Sequence, residues 1–163
     1  MKFIADVMLG RLAKRMRLLG MDVVYDRTLS DNEIIRIALE QKRTILTRDT
    51  ALSERPLAAP HLFIHSNLVH DQLRQVLDAF PSEPIMPLTR CSACNGALTP
   101  IAKSEVRDLI PVRVYETHDT FLFCGYCGRT YWEGTHVRRM RALMQVRTKK
   151  PGSCSDPGFA DKQ

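Results

Sequence analysis

Along the first eighty residues, short apolar runs alternate with stretches whose apolar positions repeat at helical spacing. Residues 2–7 (KFIADV) form the first run, a predicted strand that breaks at Asp6. Leu9, Leu12, Ala13, Met16 and Leu19 then fall on one helical face, and Gly20 supplies the stop. Residues 22–26 (DVVYD) read as a second strand. Ser30 and Glu33 make an S-x-x-E capping box, opening a helix whose stripe is Ile34, Ile35, Ala38 and Leu39. Residues 44–47 (TILT) and 61–65 (HLFIH) are the third and fourth strands. Asn67 is placed as the cap of a last helix, with Val69, Leu73, Val76, Leu77 and Phe80 facing inward. Alternating strands and helices predict parallel pairing, right-handed crossovers and a three-layer α/β sheet.

Beyond residue 80 the pattern changes. Residues 81–87 (PSEPIMP) hold three of the nine prolines and read as a linker. Two cysteine knuckles follow, with residues 111–116 (PVRVYE) and 120–124 (TFLFC) between them as β-like runs. Residues 136–147 suggest a basic helix, and the remainder a frayed tail carrying Cys154. The expected organisation is a domain at 1–80, a linker at 81–90, a second unit at 91–147 and a disordered tail at 148–163.

The knuckles carry the sharpest local chemistry. Cys91-Ser-Ala-Cys94 and Cys124-Gly-Tyr-Cys127 are two C-x-x-C pairs with 29 residues between them. One tight turn lets two thiolates reach one ion, and two such turns complete a tetrahedron around zinc. Gly96 and Gly128 are expected to supply the positive-φ backbone of those turns. Four cysteine ligands leave no open position, so the predicted zinc is structural and the unit a small zinc ribbon. Catalysis has to be sought in the first half.

There the acids fall at predicted strand ends, where open parallel sheets gather ligands. Asp6 follows strand one, Asp26 strand two and Asp49 strand three, and Asp31 opens the second helix. If strand one lies between two and three, Asp6 and Asp49 leave strands about 4.8 Å apart. Such carboxylates tolerate one another around a cation, and magnesium or manganese suits oxygen ligands. Plainer roles stand beside this one: Asp26 as a turn residue, Asp31 as a complement to the helix dipole, Asp49 as the cap of a short helix. Arg11, Lys14 and Arg15 share one face of the first helix, and Arg48 adjoins Asp49. Arginines around an acid nest suit a phosphodiester substrate, though the same cations also describe a solvated face.

Net charge is +6, with 13 Lys+Arg against 11 Asp+Glu in residues 1–90 and 11 against 7 in 91–163. The excess admits a polyanionic partner. The 44% hydrophobic fraction supports a packed core. No apolar run reaches membrane-spanning length, and the N-terminal residues do not have the shape of a secretory signal. Paired cysteines without an export signal favour a reducing compartment, so a cytoplasmic location is expected. A Gly-rich dinucleotide turn and a G-x-S-x-G elbow are both missing. A phospho-acceptor switch would need a second acid after strand one and a late lysine.

MLGRLAKRMRLLGMDVVYD, LSDNEIIRIA and ILTRD, followed by RCSACNGAL and CGYCGRTYWEGTHVRRM, resemble the Mut-seven C-terminal ribonuclease domain family from about Phe3 to about Met140. The resemblance implies a PIN-like nuclease fold fused to a zinc ribbon, and a metal-dependent ribonuclease. Carried over by position, it puts the acids of that family on Asp6, Asp31 and Asp49, with Asp26 also matching. Thr50-Ala51 stands where related nucleases carry a further acid, which leaves one-metal and two-metal chemistry open. The closing Y-W-x-G-x-H falls on Tyr131, Trp132, Gly134 and His136.

The expectation is therefore hydrolysis of RNA, single-stranded by preference, with Mg²⁺ or Mn²⁺ held by Asp6, Asp31 and Asp49. Arg11, Arg15, Arg48 and Asp26 are further candidates. Lys14, Trp132, His136, Arg138, Arg139 and Arg141 are candidate RNA contacts, the last three from an acid-free stretch with six Lys and Arg. The alternative is a non-catalytic RNA- or ribosome-binding zinc-ribbon adaptor.

Overall fold

The computed structural model describes residues 1–55 and 59–134. The predicted basic helix and tail, with His136, Arg138, Arg139, Arg141 and Cys154, lie outside the described residues.

Four short strands, β1 (Lys2–Ala5), β2 (Asp22–Val24), β3 (Thr44–Thr47) and β4 (His61–Phe63), form one parallel sheet in the order β2-β1-β3-β4. The register sets Phe3 opposite both Val23 and Thr44, and Ile45 opposite His61. Strand one is therefore central, between strands two and three, the arrangement supposed above for Asp6 and Asp49.

Side chains alternate across a strand, and the core divides accordingly. Phe3, Ala5 and Leu46 point to one face, where helices α1 (Gly10–Leu18) and α4 (Val69–Ala79) cover them. Ile4 and Ile45 point to the other, beneath α2 (Asp31–Gln41) and α3 (Thr50–Ser53). The predicted stripe of α1 is buried in full, and Gly20 ends it at φ +88°. A side chain at Gly20 would also collide with the Met86 carbonyl, since its Cβ would stand 2.3 Å away.

The capping box of α2 is present, with Ser30 and Glu33 bonded in both directions. Its stripe is narrower than predicted: Ile34 and Ala38 are buried, whereas Leu39 turns to solvent. At α4 the N-cap is Leu68, not Asn67. No side chain caps the helix; Ser66 instead holds the turn just before it, accepting from the Leu68 N–H and donating to Asp71.

A second, antiparallel sheet joins β5 (Thr99–Ile101), β6 (Phe121–Phe123) and β7 (Thr130–Tyr131) in that order. The β-like reading of PVRVYE is corrected: Val112–Thr117 is helix α5. Pro111 has no N–H to give a strand ladder and its fixed φ suits a helix start, and Thr117 Oγ1 returns a bond to the Arg113 carbonyl. Val106, Ile110 and Phe121 make the small core there, with Trp132 packed against it.

Residues 81–90 are tied down rather than spanning open solvent. The Met86 and Leu88 N–H groups donate to Leu19 and Leu18 carbonyls at 3.0 Å each.

Candidate functional site

The carboxyl ends of β1 and β3 place Asp6, Thr47 and Arg48 together. Asp6 is only 3% exposed and caps the short 3-10 turn Val7–Leu9. Its Oδ1 accepts the Met8 N–H at 2.8 Å. Its Oδ2 accepts the Thr47 hydroxyl and, at 2.8 Å, the Arg48 N–H. Three donors from two strand ends thus hold one buried carboxylate without a guanidinium. Thr47 Oγ1 also accepts the Asp49 N–H at 2.9 Å, so the two acids share this threonine.

The Asp49 carboxylate is engaged locally. It caps α3, accepting from Ala51 and Leu52 N–H groups through Oδ1. Asp31 stands apart, paired with Arg55 at 3.3 Å. Asp26 is exposed and bound to the backbone N–H and hydroxyl of Thr28, which hold its carboxyl below the usual range. Among the described residues, only the four cysteines bring three or more potential metal ligands together.

A cleft of about 780 Å³ opens beside Met8 and Arg48, the residues whose N–H groups hold Asp6, although Asp6 itself does not line it. Val7, Met8, Tyr25 and Arg48 line it from the strand ends, Gly10, Arg11, Lys14 and Arg17 from α1, and Asn67, Val69 and Gln72 from around the start of α4. Counting Arg27, five cations face one acid, Asp26. Arg48 Nε is buried with no hydrogen-bond partner among the described residues. Gly10 makes room for Tyr25: a Cβ there would lie 2.4 Å from the Tyr25 hydroxyl, which donates to the Val7 carbonyl. Of the three predicted α1 cations, Arg11 and Lys14 line the cleft and Arg15 does not.

Arg17 is not among the residues singled out from the sequence. It is buried, and its guanidinium donates to the carbonyls of Val23 (2.8 Å), Ser92 (3.3 Å) and Ala93 (2.7 Å). It therefore pins the first cysteine knuckle to β2 beside the cleft. Asn95 adds to the joint: Oδ1 accepts the Val23 N–H and Nδ2 donates to Asp22. Asp22 also meets Arg43 at 2.8 Å and Arg90 at 3.4 Å. Burial works against its charge, but the Arg43 and Asn95 bonds prevail and hold the carboxyl below its ordinary value.

The four cysteines are free thiols whose sulfur atoms all lie within 4.8 Å of one another. Cys91 to Cys127 is 3.5 Å and Cys94 to Cys124 is 3.4 Å. Metal–sulfur bonds near 2.3 Å imply tetrahedral edges of about 3.8 Å, so the set could hold a metal such as zinc. The thiols titrate unequally. Burial pushes Cys94 up to about 12 and also raises Cys127. Burial likewise opposes ionisation at Cys91, but the Tyr131 hydroxyl and the N–H groups of Cys94 and Ala93 bring it down to about 6. Four such sulfurs cannot all be anionic without a cation between them.

The glycine expectation is half right. Gly128 has φ +73°, but in the first knuckle Asn95 takes the positive φ, at +69°. Gly96 is needed for space instead, since a Cβ would sit 3.3 Å from both Cys94 and Cys124 sulfurs. Trp132 is half-buried in the small core, and the exposed aromatic of this unit is Tyr126, 86% exposed at the tip of the second knuckle.

The chain is thus a mixed α/β protein with a parallel sheet, a four-cysteine cluster and a cationic cleft at the strand ends. The family model of the Mut7-C RNAse domain matches residues 1–144, and the chain belongs to that family. Comparison with curated proteins and with solved structures gives no match. No helix among the described residues is long and apolar enough to cross a membrane.

Proposed function

We propose that the chain is a ribonuclease hydrolysing RNA phosphodiester bonds, with Asp6 and Asp49 as its acidic centre. The observation that carries this reading is Asp6: a buried carboxylate at the end of the central strand, bonded to the backbone of Met8 and Arg48, two residues that line a five-cation cleft. A carboxylate fixed beside a seat for anions is poorly explained by stability alone. The family supports the same chemistry.

Magnesium or manganese is the proposed ion, which would polarise the phosphate and lower the pKa of a bound water. The donor set suits it in kind. Asp49 Oδ2 has no hydrogen-bond partner among the described residues, and Asp6 keeps about one of its roughly four lone-pair sites. Placement is less favourable, because each acid is held by its own cap and no cluster of three carboxylates forms among the described residues. Asp31 would join only by leaving Arg55. The cysteine cluster is proposed to hold structural zinc, making the second unit a zinc ribbon beside a PIN-like domain.

The deciding assay incubates purified protein with labelled single-stranded RNA and DNA, with Mg²⁺, Mn²⁺ or EDTA, beside Asp6→Asn and Asp49→Asn. Metal-dependent RNA cleavage lost in both variants is expected. Cleavage equal in variants and parent would remove the acids from the mechanism. The lack of a three-acid cluster among the described residues also favours a second reading, an RNA- or ribosome-binding adaptor, which predicts salt-sensitive binding and no metal-dependent product at any concentration.

A further inference from the structure

The cleft has properties that the acids do not explain. Arg11 and Lys14 are exposed and contact no acid among the described residues. Arg48 presents a buried Nε with no acceptor, and a guanidinium carries only donors, so the missing partner must be an oxygen or another acceptor. Arg17, fixed by three carbonyls, adds a charge that cannot swing away. Helix α4 begins at the same wall without a side-chain cap, which adds the positive end of its dipole. Like charges gathered this closely repel one another unless an anion joins them.

We propose that this cleft seats the phosphodiester backbone of single-stranded RNA, with Arg11, Lys14, Arg27 and Arg48 each taking a phosphate oxygen. The proposal rests on the RNA reading above and specifies where the substrate lies. Charge complementarity selects phosphate. Size suits a single strand, because about 780 Å³ is the scale of a small-ligand pocket rather than of a duplex groove. Tyr25 in the same wall offers an aromatic edge to a base, as single-strand sites commonly do. A strand lying here passes Met8 and Arg48, the residues whose N–H groups hold Asp6.

The test uses the full zinc-loaded chain and a short labelled RNA, without added magnesium or manganese, over a series of salt concentrations. Binding should weaken with salt, and the Arg11→Gln/Lys14→Gln pair should weaken it at least tenfold at low salt. The slope of log affinity against log salt should fall by about 0.7 for each phosphate contact removed. Arg48→Gln should act in the same direction. Arg36→Gln, which removes an exposed arginine paired with Glu40, should leave affinity and slope unchanged. Arg11 and Lys14 are exposed, so the double variant should keep the parent's unfolding midpoint. An unchanged salt slope in the cleft variants would overturn the proposal, as would duplex RNA binding as tightly as the single strand. Cleavage measured in parallel separates the two readings. Cleft-dependent binding without any cleavage sinks the ribonuclease and keeps the seat. Cleavage that ignores the cleft cations does the reverse.

Discussion

Thr47 donates its hydroxyl hydrogen to the Asp6 carboxylate while accepting the N–H of Asp49, so a single side chain positions both strand-end acids. Thr47 is wholly buried, and neither bond has water as a ready substitute.

Replacing it by valine keeps the shape and removes both bonds. Thr47→Val should cost about 2–3 kcal/mol, the range for leaving buried polar groups short of a partner. Urea unfolding should show a lower midpoint with the slope unchanged. Thr47→Ser, which keeps the hydroxyl, should recover most of the loss. A valine variant as stable as the parent would mean that the threonine holds nothing.

The joint between β2 and the first knuckle gives a second expectation. Asp22 is the common partner of Arg43, Asn95 and Arg90. Asp22→Asn should destabilise by about 3 kcal/mol, the scale for breaking a largely buried pair. Its folded-state pKa lies below the ordinary 3.8, so the carboxylate's contribution is fully present above that value and is lost only on acidification through the lower one. The loss on mutation should therefore be the same at pH 6 and pH 8. A difference that halves across that range would show that another group titrates in the network.

Metal uptake by the cysteines should release protons in a pH-dependent number. Thiolates are the ligands, so each protonated thiol must give up its hydrogen. With Cys94 raised to about 12 and Cys127 also raised, both release a proton at neutral pH. Cys91, near 6, is already ionised at pH 7.5 and protonated at pH 5.5. Zinc titration calorimetry in buffers of different ionisation enthalpy should find about 0.7 of a proton more released at the lower pH, with affinity falling more steeply there. A flat proton count would place the low-pKa thiol elsewhere.

Much of the parallel sheet could be read from the chain. The α1 stripe from Leu9 to Leu19 repeats cleanly and the Ser30–Glu33 box marks its helix, whereas the place of strand one between two and three entered only as a supposition. The cysteine cluster was equally legible, because its spacing is local. Misreadings have physical causes. The alternation in PVRVYE mimics a strand, but the proline starts a helix in a segment with little core to bury. Asn67 looks like a cap, yet Ser66 lies where the backbone turns and Asn67 faces the cleft. The cleft itself was hidden because its walls come from separate stretches of chain: Arg27 and Tyr25 after β2, Arg48 after β3, Asn67 after β4. Arg17 carried no signal that distinguishes a buried carbonyl clamp from a solvated arginine.

The margins of the parallel sheet have a consequence for behaviour at high concentration. On β2 the outward amide and carbonyl of Val23 are taken by Asn95 and Arg17. Beyond β4, Gln75 accepts from the His65 N–H and donates to the Phe63 carbonyl. Exposed strand borders invite a neighbouring molecule to add its own strand. Here side chains occupy those docking points on both sides, so crowding many copies together offers little template for fibril-like stacking.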